Sequence, residues 1–196
     1  MKIILASQSP RRRELLARLG LPFSAQAPDI DETMEPGEDP AREVARVSRA
    51  KAMAVEAAPE DVVIAADTIV VCNGRVLGKP GTPEQAQQML KLLSGRDHQV
   101  MTGLTVRRGA TVLTETEVSR IFFRPLQEEE IAAYVATGEP LDKAGAYGIQ
   151  GVAALFITRL EGDFYNVMGL PLCALTLQLR RLGVKILGVG GPLKKH

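Results

Sequence analysis

Tryptophan is absent and aromatic residues make up 4% of the 196 positions, too few for the stacking platforms on which single-stranded nucleic acids lie. The only histidines are His98 and the terminal His196. A multi-histidine metal site is therefore excluded, and a Ser-His-Asp arrangement would have to use His98. A carboxylate is the better candidate for a general base. The two cysteines, Cys72 and Cys173, lie far apart in apolar surroundings, which predicts buried thiols in a reducing compartment rather than a disulfide or CxxC site. Neither sign of charge is in excess. With 24 Lys+Arg against 23 Asp+Glu, no global attraction to nucleic acid or membrane arises, and any anion site must be local. No charge-free apolar stretch reaches the ~20 residues of a membrane helix, and the N-terminus lacks a signal-peptide core. A soluble, cytoplasmic protein is expected, without nucleic-acid or membrane partners.

With 45% hydrophobic and 24% charged residues, the chain has the composition of an ordinary globular protein. A chain of this length buries roughly 70% of its unfolded surface. One domain over residues 1–187 is expected, with room for two lobes, and residues 188–196 read as a loose tail. Residues 2–6 are apolar, and Ser9-Pro10 then supplies an N-cap followed by proline at the first helical position. Phe23–Ala27 can be a strand, 28–40 an acidic loop, and Asp39-Pro40 opens a helix to about Ala58. Val62–Cys72 is a β-branched run, and Asn73-Gly74 is the strongest hairpin signal in the chain. Thr82-Pro83-Glu84-Gln85 reads as a capping box for a helix ending at Ser94-Gly95. A hairpin is expected from His98–Arg107 and Thr111–Phe123, a helix at Gln127–Thr137, a Gly-rich loop at Glu139–Gly151, a strand at Val152–Leu160 and a helix at Leu170–Leu182. This order predicts an α/β or α+β fold, a mixed sheet flanked by helices.

Several residues break a local rule. Arg11, Arg12 and Arg13 occupy a first helical turn, where the macrodipole disfavours cations. A phosphate there would accept bonds from the amides, the Ser7 and Ser9 hydroxyls and the arginine forks together; three adjacent arginines cannot all face one ligand, so one belongs to the surface. Asp67 interrupts an apolar strand, where an ionised carboxylate is costly unless paired or on a metal. It either ends a strand at a cleft or partners a buried Lys or Arg. Lys51 and Lys79 gain interest only if the fold brings them to it. His98 reads as a structural donor, and the acidic loop as solvated.

Leu5-Ala6-Ser7-Gln8-Ser9-Pro10-Arg11-Arg12, Ala66-Asp67-Thr68, Gly78-Lys79-Pro80, Ser94-Gly95 before His98–Gly103, Asp142–Gly151 and Val167–Leu172 together resemble the Maf family of nucleoside triphosphate pyrophosphatases, formerly described as septum formation inhibitors. The resemblance runs from Ile4 to about Gly183. It implies an elongated, curved mixed sheet with two lobes and a central cleft, an inosine triphosphatase-like (Maf/Ham1) fold working as a homodimer. It also implies a divalent metal, normally Mg2+ with Mn2+ or Co2+ able to substitute, and hydrolysis of a nucleoside triphosphate to monophosphate and pyrophosphate. By the same resemblance Ser7, Ser9, Arg12, Lys51 and Lys79 handle phosphates. Glu32 and Asp67 are the catalytic and metal-holding carboxylates, with Asp67 as proton acceptor, though the residues alone do not separate the two. Arg11, Thr68 and Gln150 fall at positions associated with base selection. Ser9-Pro10-Arg11-Arg12 and Ala146–Gly151 match the dTTP/UTP subgroup, with modified pyrimidine nucleotides as further substrates and nucleotide-pool housekeeping or division arrest as the setting. The alternatives are a 7-methyl-GTP pyrophosphatase of the same family and a non-catalytic nucleotide-binding regulator.

Overall fold

The computed structural model describes residues 1–35 and 37–191; the end of the predicted tail, with Lys194, Lys195 and His196, lies outside the described residues. The strands are β1 (Ile3–Leu5), β2 (Ser24–Ala25), β3 (Val62–Cys72), β4 (Arg75–Leu77), β5 (Asp97–Arg108), β6 (Thr111–Phe123) and β7 (Ile157–Glu161). The helices are α1 (Pro10–Ala17), α2 (Pro40–Ala54), α3 (Pro83–Leu93), α4 (Glu128–Ala136), α5 (Phe164–Val167) and α6 (Leu172–Arg181). One sheet has the order β2-β1-β3-β5-β6-β7, with β4 paired to β3. Pairing of β1 with β2 and with β3 is parallel, whereas β3–β4 and β6–β7 are antiparallel. The expected mixed sheet flanked by helices is thus present. No helix among the described residues is long and apolar enough to cross a membrane.

The chain forms two compact units. Met1–Asp67, Thr102–Glu117 and the described residues 169–191 make one, and Thr68–Met101 with Val118–Met168 make the other. In the first, Ile4 and Ala6, Ala52 and Val55, and Val63 and Ala65 form a small core between β1, α2 and β3. Gly103 of β5 lets α2 lie directly on the strand, since a Cβ there would run into the Val44 carbonyl. In the second unit the core is aromatic. Phe123, Tyr134, Tyr147 and Phe156 pack edge to face among Leu90, Leu93 and Ile131, the geometry the ring quadrupoles favour.

Local chemistry explains most boundaries. Asn73 and Gly74 take φ of 50° and 74°, the doubly left-handed turn that matches strand twist, and Cys72 faces Arg75 across it. Four expectations need correction. Helix α2 stops at Ala54 rather than Ala58, because Val55 is extended, turns its side chain into the core and gives its carbonyl to Arg107 Nη2 at 2.6 Å. The predicted strand Val152–Leu160 begins as a 3-10 turn, Val152–Phe156, which buries Ala153 and Phe156 before β7 starts. The strand predicted over Phe23–Ala27 shrinks to Ser24–Ala25, both exposed. Cys173 is exposed, and only Cys72 is the predicted buried thiol.

Candidate active site

The first unit assembles most of the residues singled out above. Leu5 pairs with Ile64, so Ser7 and Asp67 leave the β1–β3 ladder at the same, carboxyl, end of two parallel strands. In open α/β sheets ligands bind at that end. Ser9 caps α1, accepting from Arg12 N at 3.5 Å, and Ser9 N donates to Ser7 Oγ at 3.1 Å. Both hydroxyls serve here as acceptors, which leaves each O–H to donate to an oxyanion. Arg12 turns back over this corner. Its Nε donates to Gly169 O at 2.8 Å and its Nη1 to Ser7 Oγ at 3.5 Å. Burial pulls the Arg12 pKa down and neighbouring Arg11 adds to that, while Asp67 and Glu32 oppose them. These four charges therefore share one neighbourhood. Arg13 is exposed and is the surface arginine of the three.

Lys51 holds the carboxylates. On α2 the residues Val44, Val47, Ser48, Lys51 and Ala52 form the buried stripe, so Lys51 enters the interior at a position where helical spacing calls for an apolar residue. Its Nζ lies 2.8 Å from Asp67 Oδ1 and 2.9 Å from Glu32 Oε2, with the Lys51 side chain 8% exposed, Asp67 15% and Glu32 55%. Asp67 sits within β3 rather than at its end. Of the two readings open for it, partnership with a buried lysine is what the structure displays. Glu32 comes from the acidic loop, which is tied to α2 on either side of Met34. Glu35 N donates to Glu43 Oε2 at 2.9 Å and Arg46 Nη2 to Thr33 O at 2.8 Å. The Arg46 fork on Glu43 holds that carboxyl down at about 2. The loop read as merely solvated thus contains an anchored segment, and neither Glu43 nor Arg46 was marked by the sequence.

The remaining positions lie in the second unit. Thr68 follows Asp67 in β3, Lys79 is exposed after β4, and Gln150 is exposed before the 152–156 turn. His98 is buried there, 2.7 Å from Tyr147 Oη through Nε2 and packed edge-on against Phe123. Desolvation lowers its pKa to about 4, so it is a neutral structural group as expected. Gly169, whose carbonyl aims Arg12, has φ of 99°, a conformation that favours glycine. Its place within Val167–Leu172 was the available sequence signal.

No group of three or more His, Cys, Asp or Glu suited to a metal occurs among the described residues. Glu32 and Asp67 do fit a hard cation: both are oxygen donors, and together they already surround one positive charge. Magnesium characteristically takes one or two carboxylates and completes its shell with water and substrate phosphate.

A family model described as Maf-like protein matches residues 2–182. The chain is 53% identical over 191 residues to the dTTP/UTP pyrophosphatase of Moorella thermoacetica, covering 95% of this chain and 98% of that one. It is 50% identical over 185 residues to the dTTP/UTP pyrophosphatase of Geobacter metallireducens, covering 93% and 96%. Among solved structures, the Staphylococcus aureus Ham1 protein aligns at 18% identity with a TM-score of 0.43, over 63% of this chain and 72% of that one. A match that begins at residue 2 and ends at residue 182, taking in every site position named above, makes this chain a member of the Maf-like protein family.

Proposed function

We propose that this chain is a nucleoside triphosphate pyrophosphatase that hydrolyses dTTP and UTP to the monophosphate and pyrophosphate, by attack of water at the α-phosphorus. The observation that carries the reading is the buried Lys51 ammonium shared by Asp67 and Glu32, with Arg12 beside them. A triphosphate brings about four negative charges, and its transfer chemistry is chiefly a matter of positioning and neutralising them. Arg12, Lys51 and Lys79 supply cations, and the Ser7 and Ser9 hydroxyls supply donors. Asp67 accepts the proton of the attacking water. Glu32 and Asp67 would also hold a divalent cation, Mg2+ by preference, which supplies positive charge to the phosphate oxygens. We infer a homodimer as the working form; light scattering should return twice the chain mass, and a monomer mass would overturn this.

Arg11, Thr68 and Gln150 select the base. Uracil and thymine present an N3–H between two carbonyls, which an amide matches with one acceptor and one donor. A glutamate at position 150 would set a negative charge against a base carbonyl. Gln150→Glu is expected to cost pyrimidine turnover roughly 1 to 3 kcal/mol of transition-state binding. The deciding experiment measures kcat/KM for dTTP, UTP, CTP and 7-methyl-GTP with magnesium, quantifying monophosphate and pyrophosphate separately. Pyrophosphate from dTTP and UTP is expected. A preference for 7-methyl-GTP moves the chain to that activity, and no turnover leaves a non-catalytic nucleotide binder.

A further inference from the structure

The second unit contains a polar cluster that the proposed chemistry does not use. Tyr134 of α4 is buried, yet its hydroxyl donates to Glu139 Oε1 at 2.9 Å and accepts from Gly148 N at 3.3 Å. The other carboxylate oxygen of Glu139 accepts from Val152 N at 3.1 Å. These two amides lie two residues before and two residues after Gln150, and Gly151 N closes the turn onto Gly148 O at 3.0 Å. Lys143 Nζ donates to the backbone carbonyl of Glu139 at 2.6 Å and to Asp142 Oδ1 at 2.6 Å.

The glycines of the segment are explained by the same side chains. A Cβ on Gly151 would run into the Glu139 carboxylate, and one on Gly148 would come within 2.7 Å of Lys143 Cε. Gly151 has φ of −97°, a backbone that alanine tolerates. Its smallness is therefore a demand for space, and Glu139 makes that demand. Burial and the neighbouring Glu139 raise the Tyr134 pKa, which keeps its hydroxyl a donor.

We propose that Glu139, acting with Tyr134, is a positioning residue for base selection, clamping the 148–152 turn so that the Gln150 amide is presented in one place. The proposal rests on the reading of Gln150 as a base-selecting residue. A turn released from the clamp lets the amide shift to meet cytosine's N4 amine as well as the O4 carbonyl of uracil or thymine. The signature is therefore a change in selectivity rather than a uniform loss of rate.

The test is the ratio of kcat/KM for dTTP to that for CTP, measured with Tm for each variant. Gln150→Ala, Glu139→Ala and Gly151→Ala should each lower the ratio about tenfold, the size of one lost hydrogen-bonded contact. Glu139→Gln, which keeps one carbonyl acceptor, should recover part of it. Because all act through one turn, Glu139→Ala combined with Gln150→Ala or with Gly151→Ala should be no worse than the more severe single change. If Gln150→Ala leaves the ratio unchanged, the base-selection reading falls and this proposal falls with it. If Gln150→Ala lowers the ratio while Glu139→Gln and Gly151→Ala lower only Tm, the proposal alone is overturned and Glu139 is a structural residue. The latter pair also decides the matter should Glu139→Ala fail to fold.

Discussion

A carboxylate inside an apolar strand and a lysine inside a helix's apolar stripe are each expensive, and here they offset one another. Asp67 and Lys51 meet at 2.8 Å, and because a buried ion pair rarely outperforms apolar packing, the pair adds little net stability and is compatible with the chemical role proposed for it. Asp67→Asn is nearly isosteric but cannot accept the proton. It is expected to abolish turnover while lowering Tm by only a few degrees. Retention of more than about a tenth of the rate, a barrier change of only ~1.4 kcal/mol, would transfer the proton-accepting role to Glu32 or another group. His98 gives an independent pH signal. Its folded pKa of about 4 lies below the ordinary 6.5, so the unfolded chain binds the proton first as pH falls. The stability held by neutral His98 is intact above pH 6.5 and drains away between 6.5 and 4, by roughly 3 kcal/mol at most. Denaturant unfolding across that window should show the loss in wild type and lack this component in His98→Asn. Equal slopes would refute the assignment of His98 as the titrating group.

Helix α2 is the element that carries most of the first unit's proposed chemistry. It carries Lys51, and through Glu43 and Arg46 it anchors the loop that delivers Glu32. Its seat is Gly103, where the opposing atoms are helix backbone and cannot rotate aside. Gly103→Ala should therefore displace α2, costing about 3 kcal/mol as an overpacked contact and lowering Tm by something like 10 °C. Activity should fall further than stability at assay temperature, because Lys51 moves with the helix. A variant with wild-type Tm and kinetics would mean that the strand yields instead. Much of this element was legible beforehand: the Asp39-Pro40 start is the observed one, with Asp39 Oδ1 accepting from Ala41 N at 2.9 Å. The inward position of Lys51 was not: as a lone lysine on an Ala-rich helix it was uninformative until the fold placed it in the buried stripe. The anchoring of the acidic loop was not legible, because it is made by backbone groups of residues 33 and 35 that any side chain could have carried.

Across the whole molecule the charges balance to a formal +1, so attraction for a polyanion has to come from individual cations. If Arg12, Lys51 and Lys79 all neutralise one triphosphate, Arg12→Ala, Lys51→Ala and Lys79→Ala should each reduce kcat/KM, and their combinations should lose less than the sum of the separate losses. Wild-type kinetics for any one of them removes it from the phosphate-handling set. Chelation of divalent metal should stop turnover reversibly, with activity restored by Mg2+.

The order of the longer elements, the helix starts at Ser9-Pro10, Asp39-Pro40 and Thr82-Pro83, and the Asn73-Gly74 hairpin were all determined by the sequence alone, whereas the short helix α5 and the 3-10 turns between 139 and 156 were not foreseen. Each of the former depends on the conformational preferences of two to four neighbouring residues. The identity of the costly residues was equally local, since a charge within an apolar run is visible wherever it stands. Partnership was not. That Asp67 pairs with Lys51 sixteen positions away, that Arg12 is aimed by the carbonyl of Gly169, and that Glu139 and Tyr134 grip the amides flanking Gln150 were decided only by the tertiary structure. The physical reason is that a hydrogen bond or ion pair depends on distance and direction in space, and helical or strand periodicity carries neither across a loop.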